Sequence, residues 1–172
     1  MQAIRYQIRS LALLSIVNEI NAKRLVPDAY FQRNLVWRDV HKRDFIETIL
    51  LGYPFPQIFF SRGKIDVKKM SSTACIVDGQ QRMTSIVILL QSIQSYFDMQ
   101  AEYKTLANGI TKKFLFATRL SDNNSFFKLT LNADCRDFFK TDILGKPGVT
   151  GATIRSHQRL ATAKKTFNEY LL

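Results

Sequence analysis

The run Cys75-Ile76-Val77-Asp78-Gly79-Gln80-Gln81-Arg82-Met83-Thr84 constrains the fold of this chain more than any other stretch. An apolar, strand-like segment stops at Asp78-Gly79, and a polar pair and an arginine follow. From Met83 the apolar residues fall at Met83, Ile86, Val87, Leu90, Ile93 and Phe97, the spacing of an amphipathic helix. The chain order is therefore strand, glycine turn, helix start. At such a junction the unpaired backbone N–H groups and the helix dipole both favour an anion. Gly79 lets a ligand approach the backbone closely. Arg82, in the first helical turn, is unfavourable for the helix itself, yet its planar, permanently charged fork suits phosphate oxygens. Asp78 stands where it would hold a metal or orient a water beside that anion. A plainer reading of the same residues stays open, in which Asp78 caps the helix and Arg82 pairs with a neighbouring carboxylate.

Composition sets the class around this junction. A chain of 172 residues suits one domain with a sizeable core. Hydrophobic residues at 46% and aromatics at 12% mark a globular chain and exclude a disordered one. The net charge of +11, from 25 Lys and Arg against 14 Asp and Glu, points to a polyanionic partner such as nucleic acid or nucleotide. No apolar run reaches membrane-spanning length, since Gln91 and Ser92 interrupt the longest one, so no membrane partner is expected. Arg5 and Arg9 precede Leu11-Ala12-Leu13-Leu14, but Asn18, Glu19 and Asn21 follow, which fits an amphipathic helix and not a signal peptide. The two cysteines, Cys75 and Cys135, lack metal-ligand spacing. Cys75 reads as a small core residue, and a reduced, cytoplasmic protein is the natural expectation.

Punctuation gives the order of elements. Ser10 would cap a first helix with Leu11, Leu14, Val17 and Ile20 on its apolar face. Pro27 begins an extended passage through Tyr30 and Phe31. A second helix starts at Asp39, turns Phe45, Ile46, Ile49 and Leu50 inward, and stops at Gly52. Pro54 and Pro56 lead into an apolar strand at Ile58-Phe59-Phe60. Arg62-Gly63 would turn, and 64–73 would be a loop or frayed hairpin before the strand at 74–78. The helix from Gln80 runs to about Phe97, followed by a polar, mobile passage. Strands at 114–118 and 126–131 flank a turn at Ser121-Asp122-Asn123-Asn124. Asn132 or Asp134 would cap a short helix reaching Phe138. A glycine-rich loop at 145–153 precedes a last helix from about Ile154. The expected fold class is α+β, a small mixed sheet flanked by helices.

Asp78-Gly79-Gln80-Gln81-Arg82-Met83-Thr84 resembles the DGQQR-L-T signature of one large family, the ParB-like N-terminal domain of GmrSD-type modification-dependent restriction and phage-defence proteins. Phe31-Gln32-Arg33 with Val36-Trp37 resembles its FQR…VW block. The stretch from Phe45-Ile46-Glu47 through Gly52-Tyr53-Pro54-Phe55-Pro56 resembles its LIxSILxGYPIP block. Leu129-Thr130-Leu131-Asn132 with Phe138-Phe139 resembles a weaker later one. Together these blocks cover most of residues 10–140. The resemblance implies a ParB/sulfiredoxin-like architecture, with 1–145 as the DGQQR domain and 146–172 as a basic helix opening a further helical region. It also implies nucleoside-triphosphate binding and hydrolysis centred on the signature. In ParB-type relatives a Gly-x-x-Arg turn touches a nucleoside triphosphate, and Gly79-Gln80-Gln81-Arg82 fills that pattern.

Roles follow on that resemblance. Arg82 would neutralise phosphate charge as the transition state forms. The N–H groups of Gly79, Gln80 and Gln81 would cradle phosphate oxygens, with Thr84 beside them. Asp78 would hold Mg²⁺ accompanying GTP, ATP or CTP. Gln80 or Gln81 would orient the attacking water, as a neutral amide does in some GTPases. Adjacent on a helix, the two glutamines point about 100° apart, so one of them faces the ligand. Gln32 and Arg33 would reach the same cleft, Arg33 as a second clamp on phosphate. Trp37 and Tyr53 read as packing residues, and Asp44 and Glu47 as ion-pair partners for Lys42 or Arg43. No catalytic or metal role is expected of His41 or His157.

Between Lys146 and Lys165 there are five basic residues and no acidic one. Arg155 and Arg159 share a helical face that would track a nucleic-acid backbone, with Lys164 and Lys165 beyond them. Full-length relatives continue further, many into an HNH-type nuclease, and no His-Asn-His constellation occurs in these residues. DNA cleavage is therefore expected elsewhere, in a nuclease domain or subunit that partners this chain, and a homodimer is a further candidate assembly. The alternative to a hydrolase is a binding module that senses nucleotide or modified DNA without turnover.

Overall fold

The computed structural model describes residues 7–22, 24–26, 36–54, 56–66, 71–118, 125–127, 133–145 and 151–171. Within them the chain is α+β: six α-helices, a three-stranded mixed sheet and a separate two-stranded ladder. The first helix, α1 (Leu13–Asn21), buries Ile16, Val17 and Ile20, with Leu13 packed against the same core. Its N-cap is Ala12, with no side-chain cap, so Ser10 does not play that part. Leu11 precedes the helix and stays 51% exposed, which corrects its expected place on the buried face; Leu14 also remains exposed. The strand β1 (Leu25–Val26) follows, and the extended passage read from Pro27 lies outside the described residues.

The helix α2 (Asp39–Leu50) begins at the expected residue and buries Phe45 and Ile46. Leu50, expected inside, is 61% exposed, because the inward stripe ends with the half-buried Ile49. Gly52 follows at φ 71° and lets the chain leave the helix. Strands β2 (Phe59–Asp66) and β3 (Ser71–Asp78) form an antiparallel pair, and β3 is central, with β1 parallel on its other side. The expected turn at Arg62-Gly63 is absent. β2 runs through it with a register shift between Arg62 and Ile65, where glycine accommodates a bulge and not a reversal.

The helix α3 (Gln80–Asp98) is the spine of the molecule, packed against α2 and later helical elements. The passage expected to be mobile is helical: a 3₁₀ turn (Ala101–Tyr103), α4 (Lys104–Ile110) and a π-helical turn (Thr111–Leu115). Docking on α3 outweighs the low helix propensity of Asn108 and Gly109, since Ala107 and Leu115 are fully buried and Tyr103 packs on Phe97 with ring centroids 5.4 Å apart. Of the strands expected at 114–118 and 126–131, the first is confined to β4 (Phe116–Thr118) because 114–115 belong to the π-helical turn; β5 (Ser125–Phe127) pairs with it antiparallel, and 128–131 lie outside the described residues. The short helix α5 (Ala133–Phe138) continues past Phe138 as a π-helical turn (Phe139–Ile143). The last helix, α6 (Arg155–Leu171), lies against α3 and α2 and contributes Leu160, Ala163 and Phe167 to the core.

One buried charge ties α2 to α6. Lys42 is only 2% exposed, and its ammonium donates to the Arg159 carbonyl at 2.7 Å and to Asp39 Oδ1 at 3.2 Å. Burial lowers its pKa below the ordinary lysine value; Asp39 opposes that shift and the Arg159 charge adds to it. A second tether closes the far end, where the Tyr170 hydroxyl donates to Glu47 Oε1 at 3.1 Å. Because the folded-state pKa of Lys42 lies below the unfolded one, the unfolded chain holds more protons between the two values, and stability rises with pH there. Urea unfolding of the protein and of Lys42→Met at pH 7 and near pH 10 should therefore show the gap moving in favour of the lysine as pH rises toward 10.5. A gap that stays constant or moves the other way would contradict this assignment.

Candidate functional site

The β3–α3 junction is built on a backbone conformation open to few residues. β3 carries Ile76 into the core with no exposure and ends at Asp78. Gly79 then adopts φ 106°, a left-handed conformation that L side chains rarely tolerate, and serves as N-cap of α3. Its carbonyl accepts the Met83 N–H at 3.0 Å, and no side chain caps this helix end. Asp78 is therefore not the cap that the plainer sequence reading allowed. The space that glycine leaves is filled from behind: a Cβ on Gly79 would stand 2.9 Å from two side-chain carbons of Ile58. On that side the glycine admits the residue just before β2, not a ligand.

Arg82 is held at the rim of this turn. Its Nη1 donates to the Gln57 carbonyl at 3.0 Å and lies 3.4 Å from Asp78 Oδ2, while the side chain is 14% exposed. The carboxylate of Asp78 is 63% exposed, so the pair is stretched, solvated and worth about 0–1 kcal/mol. Among the described residues, Arg82 Nε and Nη2 and Asp78 Oδ1 have no protein partner. The ion pair of the plainer reading is thus present but engages only one edge of the guanidinium. No acidic residue lies in the first turn of α3, so within that turn no side chain offsets the positive end of the helix dipole.

The other signature residues are sorted by the helix. Gln81 is half-buried, and its Oε1 accepts two successive backbone N–H groups, from Val36 at 3.1 Å and Trp37 at 3.0 Å. Gln80 is half-buried, and its carbonyl accepts the Thr84 hydroxyl at 2.9 Å. Thr84 itself is 1% exposed, its hydroxyl turned back onto its own helix. Gln32 and Arg33 lie outside the described residues. Trp37 packs edge-on against Phe45 with centroids 5.5 Å apart, in line with a packing role. Tyr53, also expected to pack, is 63% exposed, because the chain leaves α2 at Gly52 before it can turn inward.

The basic residues of α6 do not form one stripe. Arg155 is exposed and Arg159 half-buried. Lys164 bends inward to donate to the Asp142 carbonyl at 2.8 Å; burial lowers its pKa and Asp142 opposes the shift. Lys165 lies 3.8 Å from Glu169 at the surface. A groove of about 500 Å³ beside these residues, lined by Phe138, Asp142, Ile143 and Lys164 among others, includes no signature residue.

Both histidines serve helix starts. His41 Nδ1 accepts the Arg38 N–H, and His157 Nδ1 accepts the Thr153 N–H while its ring stacks on Phe138 at 4.5 Å. Arg43 pairs with Glu47 at 3.9 Å as expected. Cys135 is buried, and the half-buried Cys75 sits 2.8 Å from Ser61 Oγ across the hairpin. Among the described residues there is no group of three or more His, Cys, Asp or Glu side chains that could hold a metal. Asp78 offers one hard oxygen donor, which suits an ion held mainly by water and ligand phosphates. No helix among them is long and apolar enough to cross a membrane.

Two contributors escaped the sequence reading. Gln57 acts through its backbone carbonyl, which has no side-chain signature, and Ile58 acts through its place just before β2, where it fills the space beside Gly79. Gly79→Ala tests both constraints: its positive φ and the contact with Ile58 should cost about 1–3 kcal/mol in urea unfolding. An unchanged midpoint would mean that the turn can be built another way.

A search of curated proteins found no match. The family model described as "GmrSD restriction endonuclease, N-terminal domain" matches residues 13–171, nearly the whole chain and every element from α1 to α6. The protein therefore belongs to the GmrSD restriction endonuclease N-terminal domain family.

Proposed function

We propose that this chain is a nucleoside-triphosphate-binding and hydrolysing regulatory domain of a DNA restriction system, with the β3–α3 junction as its phosphate site. Family membership supports the restriction setting. The observation that carries the nucleotide reading is Arg82: anchored by the Gln57 carbonyl in the first turn of a helix with no side-chain cap, it engages its one carboxylate neighbour only at 3.4 Å. An incoming phosphate would exchange that weak pair for charge-assisted hydrogen bonds to the guanidinium while Gln57 keeps the side chain in place.

In this reading Arg82 and the first N–H groups of α3 stabilise charge on the transferring phosphoryl group. Asp78, released from Arg82, would hold Mg²⁺ through a carboxylate oxygen, and the ion would supply further neutralisation of the triphosphate. Gln80 holds the attacking water. Gln32 and Arg33 complete the nucleotide contacts by resemblance to the family pattern, Thr84, expected beside them, is buried with its hydroxyl on the Gln80 carbonyl and supports the turn from within, and GTP, ATP and CTP are all admissible bases. Arg155 and Arg159, with Lys165, would meet DNA, and cleavage would belong to a nuclease domain or subunit that partners this chain. A second reading, a sensor that binds without turnover, is favoured by one observation: Gln81 Oε1 is already engaged by two backbone amides, so one fewer group is available for orienting water.

Phosphate release and binding should be followed together with GTP, ATP and CTP in Mg²⁺. Arg82→Ala should lower release by about 10²–10³-fold, the range for loss of one transition-state donor. Binding without release in the unaltered protein would select the sensor. Neither binding nor release in a folded protein would remove the nucleotide reading altogether.

A further inference from the structure

Gln81 stands apart from the other signature residues in what it touches. A single amide oxygen receives the N–H groups of two successive residues, Val36 and Trp37, 45 and 44 positions away in sequence. Consecutive N–H groups converging on one acceptor form the kind of backbone concavity that usually holds an anion. Here a neutral side chain from the first turn of α3 fills it. The segment so held leads through the N-cap Arg38 into Asp39, the first residue of α2. We propose that Gln81 is a positioning residue. It clamps the segment entering α2 to the phosphate turn, so that the position of this segment and the geometry of the turn are set together, and it does not itself act on water. The functional half of this assignment rests on the nucleotide reading above; the clamp does not.

Helix geometry supports the division of labour. Gln80 and Arg82 project about 100° to either side of Gln81, so the direction that reaches Val36 differs from both. Orienting a nucleophile requires an amide oxygen that can accept from water, and that oxygen already has two donors. Trp37, the only tryptophan of the chain, sits on the clamp with its ring against Phe45, and its emission therefore reports the segment directly.

Two substitutions separate the possibilities. Gln81→Ala removes the acceptor, whereas Gln81→Glu keeps an oxygen at the same reach and makes it a stronger acceptor. In ligand-free protein, Gln81→Ala should speed amide exchange at Val36 and Trp37 by about tenfold and shift Trp37 emission, and Gln81→Glu should restore both. Equal exchange in all three proteins would overturn the clamp. With nucleotide, Gln81→Ala should raise the KM for phosphate release and leave kcat nearly unchanged. A fall in kcat at unchanged KM would overturn the positioning role and make Gln81 the residue that orients water. If the unaltered protein neither binds nor hydrolyses nucleotide, the nucleotide reading fails by itself, and the exchange and emission measurements still decide the clamp.

Discussion

The structure depends on the burial of α3 along most of its length. A nineteen-residue helix with eight buried residues cannot be placed by one neighbour, and α2, α4, α6 and the π-helical turn after α4 each take a share of its surface. Its axis is fixed by that packing, and its first residue is fixed by β3, whose last pairing joins Asp78 to Phe59. The β3–α3 turn therefore has little freedom. The strand delivers the chain in one register, Gly79 passes it into the helix at positive φ, and the packed helix holds the next turn in place. A rigid frame of this kind suits a binding turn, because donors that are already aligned lose little on meeting their ligand.

That frame was legible because α3 combines a long 3.6-residue period with a sharp start. The residues from Gln80 onward could only be a helix, and Ile76-Val77 before Asp78-Gly79 could only be extended. The same logic located α2 at Asp39 and α6 just after Ile154. It failed where packing overrode local pattern. Residues 101–115 do space Tyr103, Leu106, Ala107, Ile110 and Phe114 as a helix would, but Asn108 and Gly109 in the middle hide it, and the burial of Ala107 and Leu115 against α3 decides the outcome. Arg62-Gly63 looked like a turn because glycine marks bulges and reversals alike, and only pairing with β3 separates the two.

The candidate site was legible in its residue types and illegible in its partners. Asp78, Gly79, Gln80, Gln81 and Arg82 could be singled out from charge and spacing. That Arg82 would rest on the carbonyl of Gln57, or that Ile58 would fill the space beside Gly79, could not, because both contacts join the segment entering β2 to a turn more than twenty residues further along the chain. Lys42 is the extreme case. A lysine in the first turn of a polar-looking helix reads as solvent-exposed, and its burial becomes visible only when α6 is laid across α2. Lys164 repeats the lesson: in sequence it belongs to a basic stripe, and in space it serves the carbonyl of Asp142.

The grip of Gln81 on Val36 and Trp37 has a consequence for how this segment can drift over evolutionary time. The groups it holds are backbone amides, which nearly every amino acid supplies, so the clamp is blind to the side chains at both positions. The identity of Val36 can change freely, and that of Trp37 as far as its seat on Phe45 allows, while the attachment survives. The one residue barred at either position is proline, which has no N–H to give. Variation at 36 and 37 would then coexist with an unvarying acceptor at 81, a pattern easily mistaken for the absence of any link between them.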